Sequence, residues 1–301
     1  MAVRCLVTGA TGYIGGLLCR RLAEGGQEVR ALARSPEKAE DLKETGCEVR
    51  RADVLEPESL APALEGVEVA YYLVHSMGRG ADGDFAERDH QGAENFATAA
   101  AAVGVKRIVY LGGLGEGSKH LDSRHETALA LQRGGVPVSY FRAAAVIGAG
   151  SESFRTAFYL VRRLPIMVTP RWVETRTQPI AVADAIAFLA TASDLQLDVD
   201  REIEIGGPDL TTYGGMIDEL AEVQGRRPPF RITVPLLTPR LSSLWIGLVT
   251  PVDAGVAKPL IEGLATETIV SDPSGMELLS AVRRTPLDRA LRAAVEDSGV
   301  L

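Results

Sequence analysis

Gly9, Gly12 and Gly15 stand three residues apart in LVTGATGYIGG, directly behind the apolar run CLV. Glycines at a strand-to-helix junction permit a tight turn, let a pyrophosphate touch the backbone, and let the helix pack on the sheet with its amino end toward negative charge. The spacing differs by one residue from the GxGxxG dinucleotide fingerprint, and the setting between RCLVT and an amphipathic helix is the one that fingerprint requires. The loop therefore reads as a dinucleotide cradle, with Thr11, Tyr13 and Ile14 beside the glycines. An NAD site places an acid about 20 residues beyond the loop to hold the ribose hydroxyls. Here the second strand ends in VRALARSP, and Arg34 followed by Ser35 suits the 2'-phosphate of NADP(H) through charge-assisted bonds. The alternative is a solvated arginine that opens a helix. NADP(H) is favoured over NAD(H) on this ground. Asp53, with Val54 behind it in RADV, can accept from an adenine amino group or cap the next turn. Leu73 and His75 follow the fourth strand in YYLVHSMG, beside the expected position of the nicotinamide ribose.

These residues need a scaffold, and the first half of the chain supplies its pattern. Short apolar or β-branched runs (VRCLVTG, EVRALAR, CEVRRADV, VEVAYYLVH, VKRIVYLGG, VPVSYFRAAAVIG) alternate with helical segments such as FAERDHQGAENFATAAAAVG, whose Gly104 is a stop signal. That alternation predicts an α/β fold, a Rossmann-type doubly wound parallel sheet with a smaller carboxyl-terminal substrate-binding portion. Residues 1–150 form the expected nucleotide-binding domain, 176–206 return to the sheet, and 151–175 with 207–301 build a lid.

With 301 residues, 46% hydrophobic and 24% charged, the chain suits a large globular core. A net charge of -8 would repel a phosphate backbone, so nucleic acid is not an expected partner. Cys5, Cys19 and Cys47 are odd in number and lack metal-ligand spacing, which points to a reducing compartment and no metal. No stretch approaches the roughly 20 apolar residues of a membrane helix. The best candidate, LWIGLVTPV, stops at a proline, and the amino terminus has no leader-like pattern. The expectations are a cytoplasmic protein, monomeric or homodimeric, that acts on a small molecule and not at a membrane.

TGATGYIGG, RADV, GAENFATAA, RIVYLGG, FRAAAVIG, TQPIAVADAIAF and IGGPDLTTY, taken in order over about residues 3 to 225, resemble the atypical and extended short-chain dehydrogenase/reductases, near the NmrA-like and epimerase/dehydratase groups. Carbonyl-reducing members use a Tyr-x-x-x-Lys pair, a serine or threonine after the fifth strand, and an asparagine in the fourth helix. By the resemblance, Gly112 or Gly113 stands where the hydroxyl belongs, Asp89 takes the asparagine position, and His120 and Arg124 in HLDSR replace tyrosine and lysine. His125 is a rival for His120. Histidine's ordinary pKa near 6.5 would let it act as a proton donor at neutral pH; hydrogen bonding to cofactor or substrate, and a plain helix-start residue, are the alternatives. Arginine can bind ribose hydroxyls but exchanges no protons.

Met77, Phe154, Phe158, Met167 and Trp172 are candidates to line the substrate pocket, with Arg142 or Arg176 for a polar group; the apolar ones equally suit plain core. The leading function is an NADPH-dependent oxidoreductase of a small carbonyl, enone or quinone. The loss of serine, tyrosine and lysine keeps a non-catalytic NADP(H) sensor or assembly protein open, and a sugar-nucleotide epimerase or dehydratase is the further alternative.

Overall fold

The computed structural model describes residues 2–75, 85–193, 198–234 and 266–299. The expected runs form the strands β1 (Arg4–Val7), β2 (Glu28–Ala33), β3 (Glu48–Arg51), β4 (Val69–Tyr72), β5 (Arg107–Gly113) and β6 (Val138–Ala143). The helices between them are α1 (Tyr13–Glu24), α2 (Glu40–Lys43), α3 (Pro57–Leu64), α4 (Phe85–Ala102) and α5 (Lys119–Arg133). The second half adds β7 (Val146–Ile147), α6 (Glu152–Arg163), β8 (Ile166–Thr169), β9 (Arg176–Thr177), β10 (Ile180–Ala181), α7 (Val182–Thr191), β11 (Arg201–Ile205), β12 (Thr211–Thr212), α8 (Tyr213–Val223) and β13 (Phe230–Thr233). Two helices follow, α9 (Ser274–Glu277) and α10 (Leu287–Asp297).

Seven parallel strands form the central sheet in the order β11-β6-β5-β4-β1-β2-β3. Strands buried on both faces need apolar residues at nearly every position, which is why CLV and VAYY read as continuous runs rather than as alternation. One face carries Cys5, Val7, Leu18, Phe141 and Ile203 under α1 and α7; the other carries Leu6, Leu60, Phe96, Tyr110 and Tyr140 under α3, α4 and α5. The direction of strand progression reverses between β1 and β4, and ligands of open α/β sheets bind beyond the carboxyl ends of the strands at such a reversal. Cys5, Cys19 and Cys47 are all buried.

The expected return to the sheet over 176–206 is narrower than the sequence pattern indicates. Arg176–Thr177 pairs with β12 and Ile180–Ala181 with β7, while Arg201–Ile205 alone of this segment adds to the large sheet, beside β6. Pro179 has no N–H to continue a ladder, so the chain changes partner across it. A separate core of Phe154, Phe158, Met167, Tyr213, Leu220 and Leu291 unites α6, β8, α8 and α10. Among the described residues no helix is long and apolar enough to cross a membrane. The stretch 244–252, the apolar candidate in the sequence, lies outside the described residues.

Candidate active site

The glycine loop meets the sheet at its point of reversal. Thr8 Oγ1 donates to the Tyr71 carbonyl at 3.1 Å and accepts from Leu73 N–H at 2.9 Å, tying the carboxyl ends of β1 and β4 together. Gly9 then turns with φ +64°, and a Cβ there would lie 2.5 Å from the Leu73 carbonyl oxygen. At Gly15 a Cβ would collide with the Gly9 carbonyl, 2.8 Å from its carbon, so the helix can sit this deep only without a side chain. Gly12 caps α1 with no side-chain bond to its first N–H groups, and those donors are the ones that bind phosphate. Thr11 and Gly12 are exposed, and Ile14 packs against the core. The Tyr13 ring lies over Gly148 and Gly150, so its contribution to the loop is its backbone, while its phenol locks the loop after β7. The residues present therefore fit a pyrophosphate: the cradle is open backbone that side chains would fill.

Arg34, one residue beyond β2, is exposed and pairs with nothing among the described residues; Arg51, opposite Ala33 on β3, is a second exposed arginine at the same edge. Ser35 precedes the short turn Pro36–Ala39 without capping it through its side chain. A cavity of about 380 Å³ lies apart from this region, between the loop after β7, α6 and the end of α10. A second, of about 260 Å³, adjoins the glycine loop and is lined by Thr11, Gly12, Arg20 and Lys38 among others. Arg20 is already ion-paired with Asp41, which leaves the Lys38 ammonium as the cation in that cavity. Lys38 and Thr8 were not singled out in the sequence. The signals were the lysine three residues after Ser35 and the hydroxyl just before the first glycine. Asp53 Oδ1 accepts from Leu55 N–H at 3.0 Å, the turn-capping alternative, and Val54 is buried with its carbonyl bonded to Asn95 Nδ2.

On the other side of the reversal, four side chains from three elements meet. His75, after β4, holds Nδ1 at 3.2 Å from Asp89 Oδ2 on α4, and its ring centroid lies 4.9 Å from that of His120 on α5. One turn along α5, Arg124 donates from Nε to His120 Nε2 at 3.3 Å and from Nη1 to the Leu111 carbonyl at 3.2 Å. Asp89, His75, His120 and Arg124 are the four residues named as catalytic candidates, and they form one cluster. Among the described residues the buried Nε2 of His75 has no hydrogen-bond partner. An unpaired buried acceptor costs about 1–3 kcal/mol, and such an atom is satisfied when a ligand supplies a donor. His125, the rival to His120, is exposed on α5.

The surroundings of the two histidines shift their protonation away from the ordinary imidazole value. Burial, then the positive charge of Arg124, pulls the His75 pKa down to about 4 against the opposing pull of Asp89. Burial, Arg124 and His75 together lower His120 to about 3. Burial and the neighbouring guanidinium thus favour the neutral form of both rings. Because Nε2 of His120 accepts from Arg124, its proton resides on Nδ1, and the ring is a neutral donor rather than an imidazolium acid.

Where the family carries a serine or threonine, Gly112 has no room for one: a Cβ there would sit 2.6 Å from the Tyr140 ring. Gly113 is blocked by Leu121. Of the candidate pocket residues, Phe154, Phe158 and Met167 are buried in the core between α6, β8, α8 and α10, with Trp172 packed against it, and Phe154 and Phe158 also line the cavity of about 380 Å³. Arg142 is not available for substrate, since it donates to the Gly113 and Gly115 carbonyls at 3.2 and 2.8 Å and to Glu202 at 2.6 Å. Arg176 is exposed and faces Glu267 at 3.9 Å. Met77 lies outside the described residues. Among those described, no group of three or more His, Cys, Asp or Glu residues is placed to hold a metal ion.

Residues 9–146 match the NAD(P)H-binding family. The photosystem II assembly factor Ycf39 of Synechocystis sp. is 33% identical over 109 residues, 36% of this chain and 33% of that protein. The alignment thus spans about a third of that relative's length. A (4-alkanoyl-5-oxo-2,5-dihydrofuran-3-yl)methyl phosphate reductase of Streptomyces griseus is 28% identical over 229 residues, 73% of this chain and 74% of that protein. In fold, the chain is similar to the Citrobacter sp. triphenylmethane reductase complexed with NADP(H), with a TM-score of 0.73 and 22% identity over 97% of this chain and 99% of the other. Residues 9–146 of this protein are thus similar to the NAD(P)H-binding family, and the whole chain has a Rossmann-type α/β fold.

Proposed function

We propose that the protein is an NADPH-dependent reductase of a small carbonyl, enone or quinone compound. The observation that carries this reading is the Asp89–His75–His120–Arg124 cluster at the reversal of the sheet, with the orphaned Nε2 of His75 inside it. The reductase activity named for the Streptomyces griseus relative and the NADP(H) complex named for the Citrobacter structure support it.

The N–H groups at the start of α1 hold the pyrophosphate, and Arg34 with Lys38 neutralises a 2'-phosphate. His75, kept in one tautomer by Asp89, accepts a ribose hydroxyl at Nε2. A bound nicotinamide supplies the hydride. His120 presents Nδ1–H to the substrate oxygen, and Arg124 fixes the ring while adding positive charge where negative charge develops. A neutral imidazole would act here as an electrophile, hydrogen-bonding the oxygen as negative charge develops, as documented for other enzymes, and the proton that completes the product hydroxyl would come from solvent.

A second reading, an NADP(H)-binding sensor or assembly protein, is favoured by the same neutrality of both histidines, since neither readily releases a proton at pH 7. Oxidation of NADPH with a panel of quinones, enones and aldehydes separates the two. Turnover supports the reductase; selective NADPH binding without turnover of any compound supports the sensor. For the cofactor itself, Arg34→Asp is expected to weaken NADPH about 100-fold, from lost charge-assisted bonds plus repulsion, and NADH less than about threefold. Fluorescence titration checks this, and equal losses for both nucleotides would remove Arg34 from the 2'-phosphate.

A further inference from the structure

Of the seven large apolar side chains exposed among the described residues, four lie on one small element. Strands β8 and β13 pair in parallel with Phe230 opposite Ile166 and Ile232 opposite Val168. Paired residues of a parallel ladder point to the same face, so these four side chains form one surface. They are 68%, 55%, 45% and 44% exposed, respectively. On the opposite face Met167 enters the core between α6, α8 and α10, and Arg231 Nη2 donates to Asp218 Oδ2 at 2.7 Å.

Each strand is preceded by an arginine pair, Arg162–Arg163 at the end of α6 and Arg226–Arg227 before β13. Because the strands run parallel from a shared start, both pairs lie at the same end of the ribbon, and Arg226 Nη1 donates to the Arg162 carbonyl at 3.3 Å. Arg171, exposed just beyond β8, adds a cation at the opposite end. The segments 159–173 and 223–234 contain six arginines, of which Arg231 is paired with Asp218, and the exposed Glu174 and Glu222 adjoin them, within a chain whose net charge is -8.

We propose that this ribbon docks on an anionic phospholipid surface, with Ile166, Val168, Phe230 and Ile232 in the interfacial layer and the exposed Arg226, Arg227 and Arg171 on the lipid phosphates. An exposed apolar face rimmed by arginine has the two attractions that peripheral binding requires, apolar burial and headgroup charge. A second copy of the chain is the poorer occupant. Its ribbon would bring the arginine pairs of one copy close to those of the other. The proposal narrows the expectation drawn from the missing membrane span: crossing a bilayer and lying on one are separate demands. It does not rest on the reductase reading.

The test is flotation of the purified chain with vesicles of phosphatidylcholine alone, or of phosphatidylcholine and phosphatidylglycerol in equal parts, at low and high salt. Binding is expected with phosphatidylglycerol only, released by salt. Arg226→Gln with Arg227→Gln lowers the partition coefficient on the order of 25-fold, about fivefold per lost charge. Phe230→Ser with Ile232→Ser lowers it about tenfold. NADPH titration of the same variants reports that the nucleotide half is folded. Failure to float with phosphatidylglycerol vesicles at low salt overturns the proposal, as does flotation that neither variant weakens. A concentration-dependent dimer that Phe230→Ser abolishes, without vesicle binding, assigns the face to a second copy instead.

Discussion

Gly15→Ala raises the dissociation constants for NADPH and NADH together by about 10³-fold, the loss of two or three charged hydrogen bonds at the start of α1. The cause is geometric. The added methyl would occupy the space of the Gly9 carbonyl, and the clash is with backbone, which cannot rotate away as a side chain can. Either α1 withdraws from the sheet or the turn at Gly9 opens, and both displace the donors that hold the pyrophosphate. Fluorescence titration measures the loss, with circular dichroism reporting the fold. If Gly15→Ala does not fold, Gly12→Ala keeps the question open to experiment: its Cβ would meet only the Gly9 carbonyl oxygen at 3.1 Å, so the fold is retained, and binding falls about tenfold as the methyl fills the approach to the backbone. Wild-type affinity in both variants would contradict the cradle.

The second large effect is at His120. Removing one preorganised donor from a developing oxyanion costs on the order of 10²–10³ in turnover. His120→Phe is expected to lose that factor in kcat while NADPH affinity changes less than about threefold, and His120→Gln, which keeps an N–H, is expected to recover part of it. The pH profile tests the protonation state independently. With His75 near 4 and His120 near 3, both rings stay neutral from pH 6 to 8, and turnover is flat across that range. An imidazolium acid of ordinary pKa would instead lose about tenfold in rate per pH unit above 6.5. A falling profile in the wild type that becomes flat in His120→Gln would assign His120 the acid role and remove the neutral-donor account.

Much of this site is legible in the sequence, for identifiable reasons. Parallel strands buried on both faces leave apolar runs, a phosphate cradle leaves glycines, and the order of the strands locates the point of reversal. Those signals bring Gly9, Arg34, His75 and, through the family resemblance, Asp89, His120 and Arg124 to one end of the sheet. Their protonation is not legible, because it depends on burial and on Arg124 lying one helical turn from His120, and the ordinary histidine pKa contains neither. Phe154, Phe158 and Met167 show the limit of periodicity. An apolar stripe on α6 and an alternating strand β8 mark which side is buried but not whether it faces a ligand or α8 and α10. Arg142 looks like a free cation in FRAAAV, yet its guanidinium is held by two carbonyls and a carboxylate contributed by residues far along the chain.

The most direct measurement is a fluorescence titration of the purified protein with NADPH and then NADH. Saturable binding of both, tighter for NADPH and abolished together in Gly15→Ala, is the predicted result. Failure of either nucleotide to bind would contradict the central claim, since the glycine cradle and the histidine cluster beside it would then serve no nicotinamide cofactor.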